Sequence, residues 1–237
     1  MSDEENAIQV NFARPMPLFP LDSAVLLPQQ VLPLHIFEPR YRQMVEHALD
    51  AAGQIAMAIF DGDSWKQQYH GKPVLRPAVC LGQIVQHERL SDGRYNILIQ
   101  GICRARILKE MPADGERLYR LAMLEPVGVE QTIDEGMLAG VRQRLERMLS
   151  EGELTRMAAA EPILKYVQDE SIPTIALLEL LSFAVVSDAK TRYRLLAEGD
   201  IDARAVLVED ELQRLRDLIR RAALQRPQDW PKGCSWN

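Results

Sequence analysis

The spacing of apolar residues changes once along this chain, from every second position to a period near 3.6, and the change falls between about residues 125 and 132. A chain patterned this way needs a strand-and-turn half followed by a helical half, an α+β arrangement. Residues 1–128 hold 8 of the 13 glycines and 10 of the 14 prolines, set as punctuation between short apolar runs. Ile55 to Phe60 reads as a buried strand closed by the Asp61-Gly62-Asp63-Ser64 turn. Val79 to Val85 and Tyr95 to Gln100 flank Ser91-Asp92-Gly93-Arg94, and an Asp-Gly pair supplies the positive backbone angles of a tight hairpin. Alternation after Gly101 puts Cys103, Ala105 and Ile107 on one face of a strand and Arg104 and Arg106 on the other. A last strand runs from Tyr119 to Leu124, before Pro126. One helix interrupts this half. Pro39 sits where a missing N–H costs nothing, and Tyr41, Val45, Ala48 and Ala52 share a face, predicting a helix from Pro39 to about Ala51 that docks on the sheet.

From about Thr132 the helical period takes over. Leu138, Val141, Leu145, Met148 and Leu149 form one stripe, with Arg142, Arg144, Glu146 and Arg147 largely outside it. Ile175 to Val186, entered through Ser171-Ile172-Pro173, is apolar nearly all round apart from Glu179 and Ser182, as expected of a central bundle helix. Asp188 can cap a short helix reaching about Ala197. Ile201, Ala205, Val208, Leu212, Leu215, Ile219 and Ala222 form a heptad seam, with Asp200 or Asp202 as the cap. Packing within the chain accounts for that seam better than a homodimer does, because barely three heptads are present. The resulting division is a tail 1–16, a β-rich subdomain 17–126, a helical bundle 127–225 and a tail 226–237.

Several function classes are disfavoured. A net charge of −6 is the opposite of a general phosphate-backbone binder. No apolar stretch reaches the roughly 20 residues of a membrane span, and the acidic start MSDEENAIQVNF is unlike a signal peptide, so a cytoplasmic protein is expected. Cys80, Cys103 and Cys234 are odd in number and widely spaced, which argues against a disulfide framework and a zinc site. His35, His47, His70 and His87 contain no i, i+4 pair. No phosphate-binding loop, dinucleotide fingerprint or G-x-S-x-G elbow occurs. No cofactor, no metal and no catalytic residue are expected, and the remaining chemistry points to binding.

Pro17-Leu18-Phe19-Pro20-Leu21, then Leu32-Pro33-Leu34-His35-Ile36-Phe37-Glu38-Pro39-Arg40-Tyr41, resemble the opening of the N-terminal substrate-recognition domain of Lon proteases. Gly82, the Ser91 to Arg94 turn and Ile99-Gln100-Gly101-Ile102-Cys103-Arg104 follow in that family's order, as do the helices ending at Leu195-Leu196-Ala197-Glu198 and running from Ala203 to Leu215. The resemblance spans roughly residues 17 to 222. It implies a PUA-like pseudo-barrel followed by a helical bundle, and a role in recognising unfolded or exposed apolar polypeptide segments, as an adaptor or quality-control factor. The ATPase and serine-lysine protease parts of Lon have no counterpart here, so a stand-alone module without proteolytic activity is expected.

Within the matched motif, Phe37, Glu38, Arg40 and Tyr41 are the candidate polypeptide-binding residues. Phe37 is expected to anchor the strand end in the core, Pro39 to start the helix, and Glu38 to pair with Arg40. Arg40 and Tyr41 are expected at a rim, where an arginine and an aromatic side chain serve binding best. Two rival readings are an RNA- or nucleotide-binding surface built from Arg89, Arg94, Arg104 and Arg106, which the overall acidity opposes, and a thiol hydrolase using Cys80 or Cys103 with His87. A monomer or weak homodimer is expected, with no membrane partner.

Overall fold

The computed structural model describes residues 8–67, 71–128 and 135–224. The expected C-terminal tail, the first seven residues of the N-terminal one, His70 and Cys234 lie outside them.

Six strands form one sheet: β1 (Met16–Leu21), β2 (Val31–Ile36), β3 (Gln54–Ile59), β4 (Ala78–Arg89), β5 (Tyr95–Glu110) and β6 (Arg120–Pro126). Their order is β2-β5-β4-β3-β1-β6, and a further β5–β6 pairing closes the sheet on itself. β1 and β3 are parallel, joined through β2 and the helix α1 (Pro39–Leu49); the other pairs are antiparallel. The 16-residue β5 makes closure possible. One edge pairs with β4, while along the other Tyr95–Gln100 pair with β2 and Ala105–Glu110 with β6. Gly101 sits between those two registers. Its N–H donates to the Gln30 carbonyl (2.9 Å) and its carbonyl accepts from the Gln29 N–H (2.8 Å), so the turn before β2 lies directly on it. A side chain there would collide with the Leu27 carbonyl.

The barrel interior alternates large and small residues, Met16, Leu18, Val79, Leu81 and Leu124 among Ala56, Ala58, Ala105 and Ala122, as a narrow closed sheet requires. The expected strands at 55–60, 79–85, 95–100 and 119–124 correspond to β3, β4, β5 and β6, with Phe60 and Tyr119 just outside the strand ends, and Gly93 takes φ +80° in the expected hairpin turn. At the β5–β6 seam Arg120 grips Glu110 through Nε (2.9 Å) and Nη2 (2.5 Å), with Lys72 3.3 Å away. Burial alone raises the Glu110 carboxyl. The charges and hydrogen bonds of Arg120 and Lys72 outweigh it and hold the group below the usual carboxylate range.

The helical part comprises α2 (Glu135–Ser150), α3 (Ala160–Gln168), α4 (Thr174–Ala184), α5 (Ala189–Ala197) and α6 (Ile201–Leu224). The described residues divide into two units: those up to Gly128 together with Ser187–Ile201, and 135–186 with 202–224. α5, which the sequence division places in the bundle, therefore belongs with the sheet. The Ala78 N–H donates to the Tyr193 hydroxyl (2.9 Å), and Arg104 donates through Nε to the Leu195 carbonyl (2.9 Å). Asp188 caps α5 by accepting from the Thr191 N–H (2.7 Å), as expected.

In the other unit α3 has no counterpart in the sequence reading. Its buried Ala160, Ile163 and Val167 cover barely two turns, and Ala159 offers no capping side chain. Arg142 of α2 closes the end of α3 by donating to the carbonyls of Val167 (2.8 Å), Asp169 (3.0 Å) and Ile172. The α6 seam is buried from Ile201 to Leu212, half-buried at Leu215 and Ile219, and exposed at Ala222. Glu179, the charge that breaks the apolar run of α4, meets Arg204 of α6 at 3.7 Å, both side chains less than a tenth exposed.

Two outcomes follow. Removing one partner of a buried pair strands the other charge, so Glu179→Ala should cost about 3–5 kcal/mol in urea unfolding, while Glu179→Leu with Arg204→Met restores most of it. Glu110 contributes stability that is fully present above its unfolded pKa and lost as pH falls through its lower folded value. Glu110→Gln should accordingly flatten the acid side of a stability-against-pH curve and leave the neutral-to-alkaline slope unchanged.

Candidate functional site

β2 delivers the candidate residues. Strand alternation turns Ile36 inward, 1% exposed, so the next side chain must turn outward. Phe37 accordingly stands in solvent at 60% exposure, stacked beside His35 with ring centroids 6.2 Å apart. This corrects the expectation that Phe37 anchors the core. Glu38 follows as the extended residue before α1 and makes no side-chain cap, while its carbonyl accepts from the N–H groups of Tyr41 (3.0 Å) and Arg42 (2.9 Å). Its carboxylate accepts instead from Arg40 Nε (3.1 Å), and the guanidinium forms the expected ion pair with it, Nη2 lying 3.0 Å from the same oxygen. The Arg40 guanidinium lies over the Tyr41 ring at 4.5 Å, and that ring packs edge-on against Phe19 at 4.5 Å. Tyr41 is 6% exposed, because helical spacing turns it toward the sheet with Val45 and Ala48. It is a wall beneath Arg40, and the rim position expected for it belongs to Phe37.

These residues border a cleft of about 290 Å³ whose aromatic lining comes from four places in the chain: Phe19 of β1, Phe37 and Tyr41 around the start of α1, Phe60 after β3, and Trp65. Phe60 and Trp65 are stacked nearly parallel, 5.0 Å apart and 10° from coplanar. The sequence reading missed Phe19, Phe60 and Trp65 as site residues. The available signal was that Phe60 and Trp65 bracket the turn Asp61-Gly62-Asp63-Ser64, which closes β3. A second cleft of about 370 Å³ adjoins the first across Glu38 and Tyr41 and includes Arg40, Leu118 and Tyr119. Nothing in either lining supplies a nucleophile beside a base; the chemistry on offer is apolar burial with aromatic faces.

The family model of the ATP-dependent protease La (LON) substrate-binding domain matches residues 15–214. The chain belongs to this family. Lon protease 2 of Bdellovibrio bacteriovorus is 23% identical over 217 residues, which are 90% of this chain and 26% of that protein. The Lon protease of Trichlorobacter lovleyi is 28% identical over 145 residues, 58% of this chain and 17% of that protein. The chain thus spans about a quarter or less of the length of these relatives. The solved N-terminal domain of the Mycobacterium avium complex Lon protease matches with a TM-score of 0.63 at 21% identity, over 84% of this chain and 98% of that one. The Lon N-terminal domain protein from Xanthomonas campestris matches with 0.52 at 20% identity and the same coverages. The fold is that of a Lon N-terminal domain, α+β as the resemblance implied.

On this Lon-type scaffold the rival sites do not assemble. Arg104, expected on an exposed strand face, is 5% exposed: α5 covers it and its Nε is committed to the Leu195 carbonyl. Arg106 pairs with Glu125 (2.5 Å), Arg94 with Asp92 (2.6 Å) and Arg89 with Glu46 (3.5 Å), so these side chains are spread over three carboxylates. Cys80 and His87 are seven residues apart on the same strand, about 23 Å at roughly 3.3 Å per residue. Burial pushes the Cys103 thiol up to about 11, against a smaller opposing pull from Arg104. Among the described residues no group of three His, Cys, Asp or Glu side chains is placed to hold a metal, and no helix is long and apolar enough to cross a membrane.

With a pKa near 11, about one Cys103 in a thousand is thiolate at pH 8. In a Cys234→Ser background the native protein should react with Ellman's reagent far more slowly than the urea-unfolded protein. Labelling at equal rates would return Cys103 to consideration as a nucleophile.

Proposed function

We propose that this chain is a non-catalytic polypeptide-binding module, which takes exposed apolar side chains of unfolded segments into the aromatic cleft and serves as an adaptor or quality-control factor. The observation that carries the reading is Phe37: a large aromatic side chain held in solvent at the mouth of a cleft whose other aromatic residues are fixed by packing. Membership of a substrate-binding family supports it, as does the absence from the matched region of any phosphate loop or nucleophile with a base. Phe37 and Arg40 contact the ligand in this reading, and Glu38 and Tyr41 position them. A cleft of this size takes one or two side chains, so at roughly 25 cal/mol per Å² less the costs of association the interaction is weak and tolerant of sequence. The module works as a monomer or weak homodimer in the cytoplasm, a setting that suits the free thiols of Cys80 and Cys103.

Fluorescence anisotropy with a labelled, permanently unfolded polypeptide tests this. Saturable binding is expected to the unfolded chain and not to its folded counterpart or to an RNA oligomer. Phe37→Ala should weaken it about tenfold with the melting temperature unchanged, since Phe37 contributes little to the core. Tyr41→Ala should lower the melting temperature. Binding that is indifferent to Phe37, or no binding at all, would overturn the proposal.

A further inference from the structure

The aromatic cleft lies along one edge of β2. Its lining takes Leu34, His35, Ile36 and Phe37 from the end of that strand and Phe19 to Asp22 from the end of β1, but no residue of β5, which holds the opposite edge of β2. In the sheet order β2 stands last, and among the described residues no strand pairs with its outer side.

Strand geometry decides which backbone groups this edge presents. The Gly101 N–H donates to the Gln30 carbonyl (2.9 Å), so residue 30 turns its polar groups toward β5, and antiparallel alternation turns those of Leu32, Leu34 and Ile36 the same way. The backbone groups of Val31, Pro33 and His35 therefore point outward. Pro33 fits that assignment independently, because a residue without an N–H is tolerated in a sheet only where the missing donor would face away from a neighbouring strand. Among the described residues neither Val31 nor His35 has a backbone partner outside the strands, and both side chains are exposed, Val31 at 48%. The edge thus offers the N–H groups of Val31 and His35 and the carbonyls of Val31, Pro33 and His35 over about 13 Å, at roughly 3.3 Å per residue. Only another extended backbone carries donors and acceptors at this repeat. A second copy of β2 suits the edge poorly: laid antiparallel across Pro33 it sets proline against proline and loses both hydrogen bonds of the central pair, where a segment of other sequence loses one.

We propose that an extended polypeptide segment adds to this edge as a further strand, pairing with Val31, Pro33 and His35 through its main chain and turning every second side chain into the aromatic cleft. The proposal rests on the polypeptide-binding reading and supplies its chemistry. Every peptide carries the same backbone groups, so recognition through them tolerates many sequences, while the cleft favours apolar residues at alternate positions.

Backbone methylation tests it. The labelled peptide Lys-Thr-Leu-Thr-Phe-Thr-Leu-Lys is compared by anisotropy with two versions, one N-methylated at Leu, Phe and Leu and the other at the three threonines. In a strand these two sets of N–H groups point to opposite edges, and a slip of one residue would turn the apolar side chains away from the cleft. One version should therefore bind about tenfold more weakly, and the other within about twofold of the parent. Saturation with the parent peptide should slow amide hydrogen exchange at Val31 and His35 about tenfold and leave Leu32 and Leu34, already bonded to β5, unchanged. Equal binding of all three peptides, or equal weakening by both methylation patterns, overturns strand addition and leaves side-chain binding in the cleft standing. Slowed exchange at Val31 and His35 that grows with protein concentration in the absence of peptide overturns it in favour of a second copy. Failure of the parent peptide to bind overturns the polypeptide-binding reading itself, and this proposal with it.

Discussion

The β unit depends on one strand edge serving two partners. β5 gives the first third of its free edge to β2 and the last third to β6. Between those two stretches the pairing of β5 with β4 carries a bulge, with Leu81 opposite Cys103 and Gly82 opposite Gly101. The Gln29–Gln30 turn lies on Gly101 there by exchanging hydrogen bonds with its backbone. Because the turn sits on the glycine, the start of β2 is fixed relative to the barrel, and everything β2 delivers is fixed with it. Closure through β6 then removes the edge that a five-stranded array would otherwise present.

The site is a consequence of where β2 stops. Its last inward residue, Ile36, uses the remaining interior space, so Phe37 must face out. Pro39 ends the extended run at a set φ, and the helix that follows turns Tyr41 back toward the sheet, under Arg40 and against Phe19. Strand period followed by helix period thus exchanges the two aromatic residues: the one expected inside is out, and the one expected at the rim is in. Arg40 is held from two sides, by the Glu38 carboxylate and the Tyr41 ring. A guanidinium fixed in this way has little rotamer freedom left to lose when a ligand arrives.

What could be read from the sequence was what local spacing decides. The Asp92-Gly93 hairpin, the proline-started α1, the Asp188 cap and the α6 seam each depend on residues within a few positions of one another, and all four are present. Features set by distant partners were hidden. Arg104 alternates onto the polar face of its strand as written, yet α5 returns from 91 positions later to bury it, and no short window contains that information. The cleft suffers the same dispersal, since Phe19, Phe37, Phe60 and Trp65 come together only once β1, β2 and β3 are in register. Glu179 was visible as an anomaly in an apolar helix, but its reason, Arg204, lies on another helix.

A large aromatic side chain in water lowers solubility and adds nothing to a core it does not touch, so the packing of this fold gives no account of Phe37. Its neighbours sharpen the point. Phe60 and Trp65 stack face to face, and Phe19 and Tyr41 edge to face, and Phe19, Tyr41 and Phe60 are buried by that packing. Phe37 stands exposed beside rings that are themselves packed, and that contrast is what the proposed polypeptide-binding reading rests on. In that proposed reading such a cleft takes many apolar partners and binds none of them tightly.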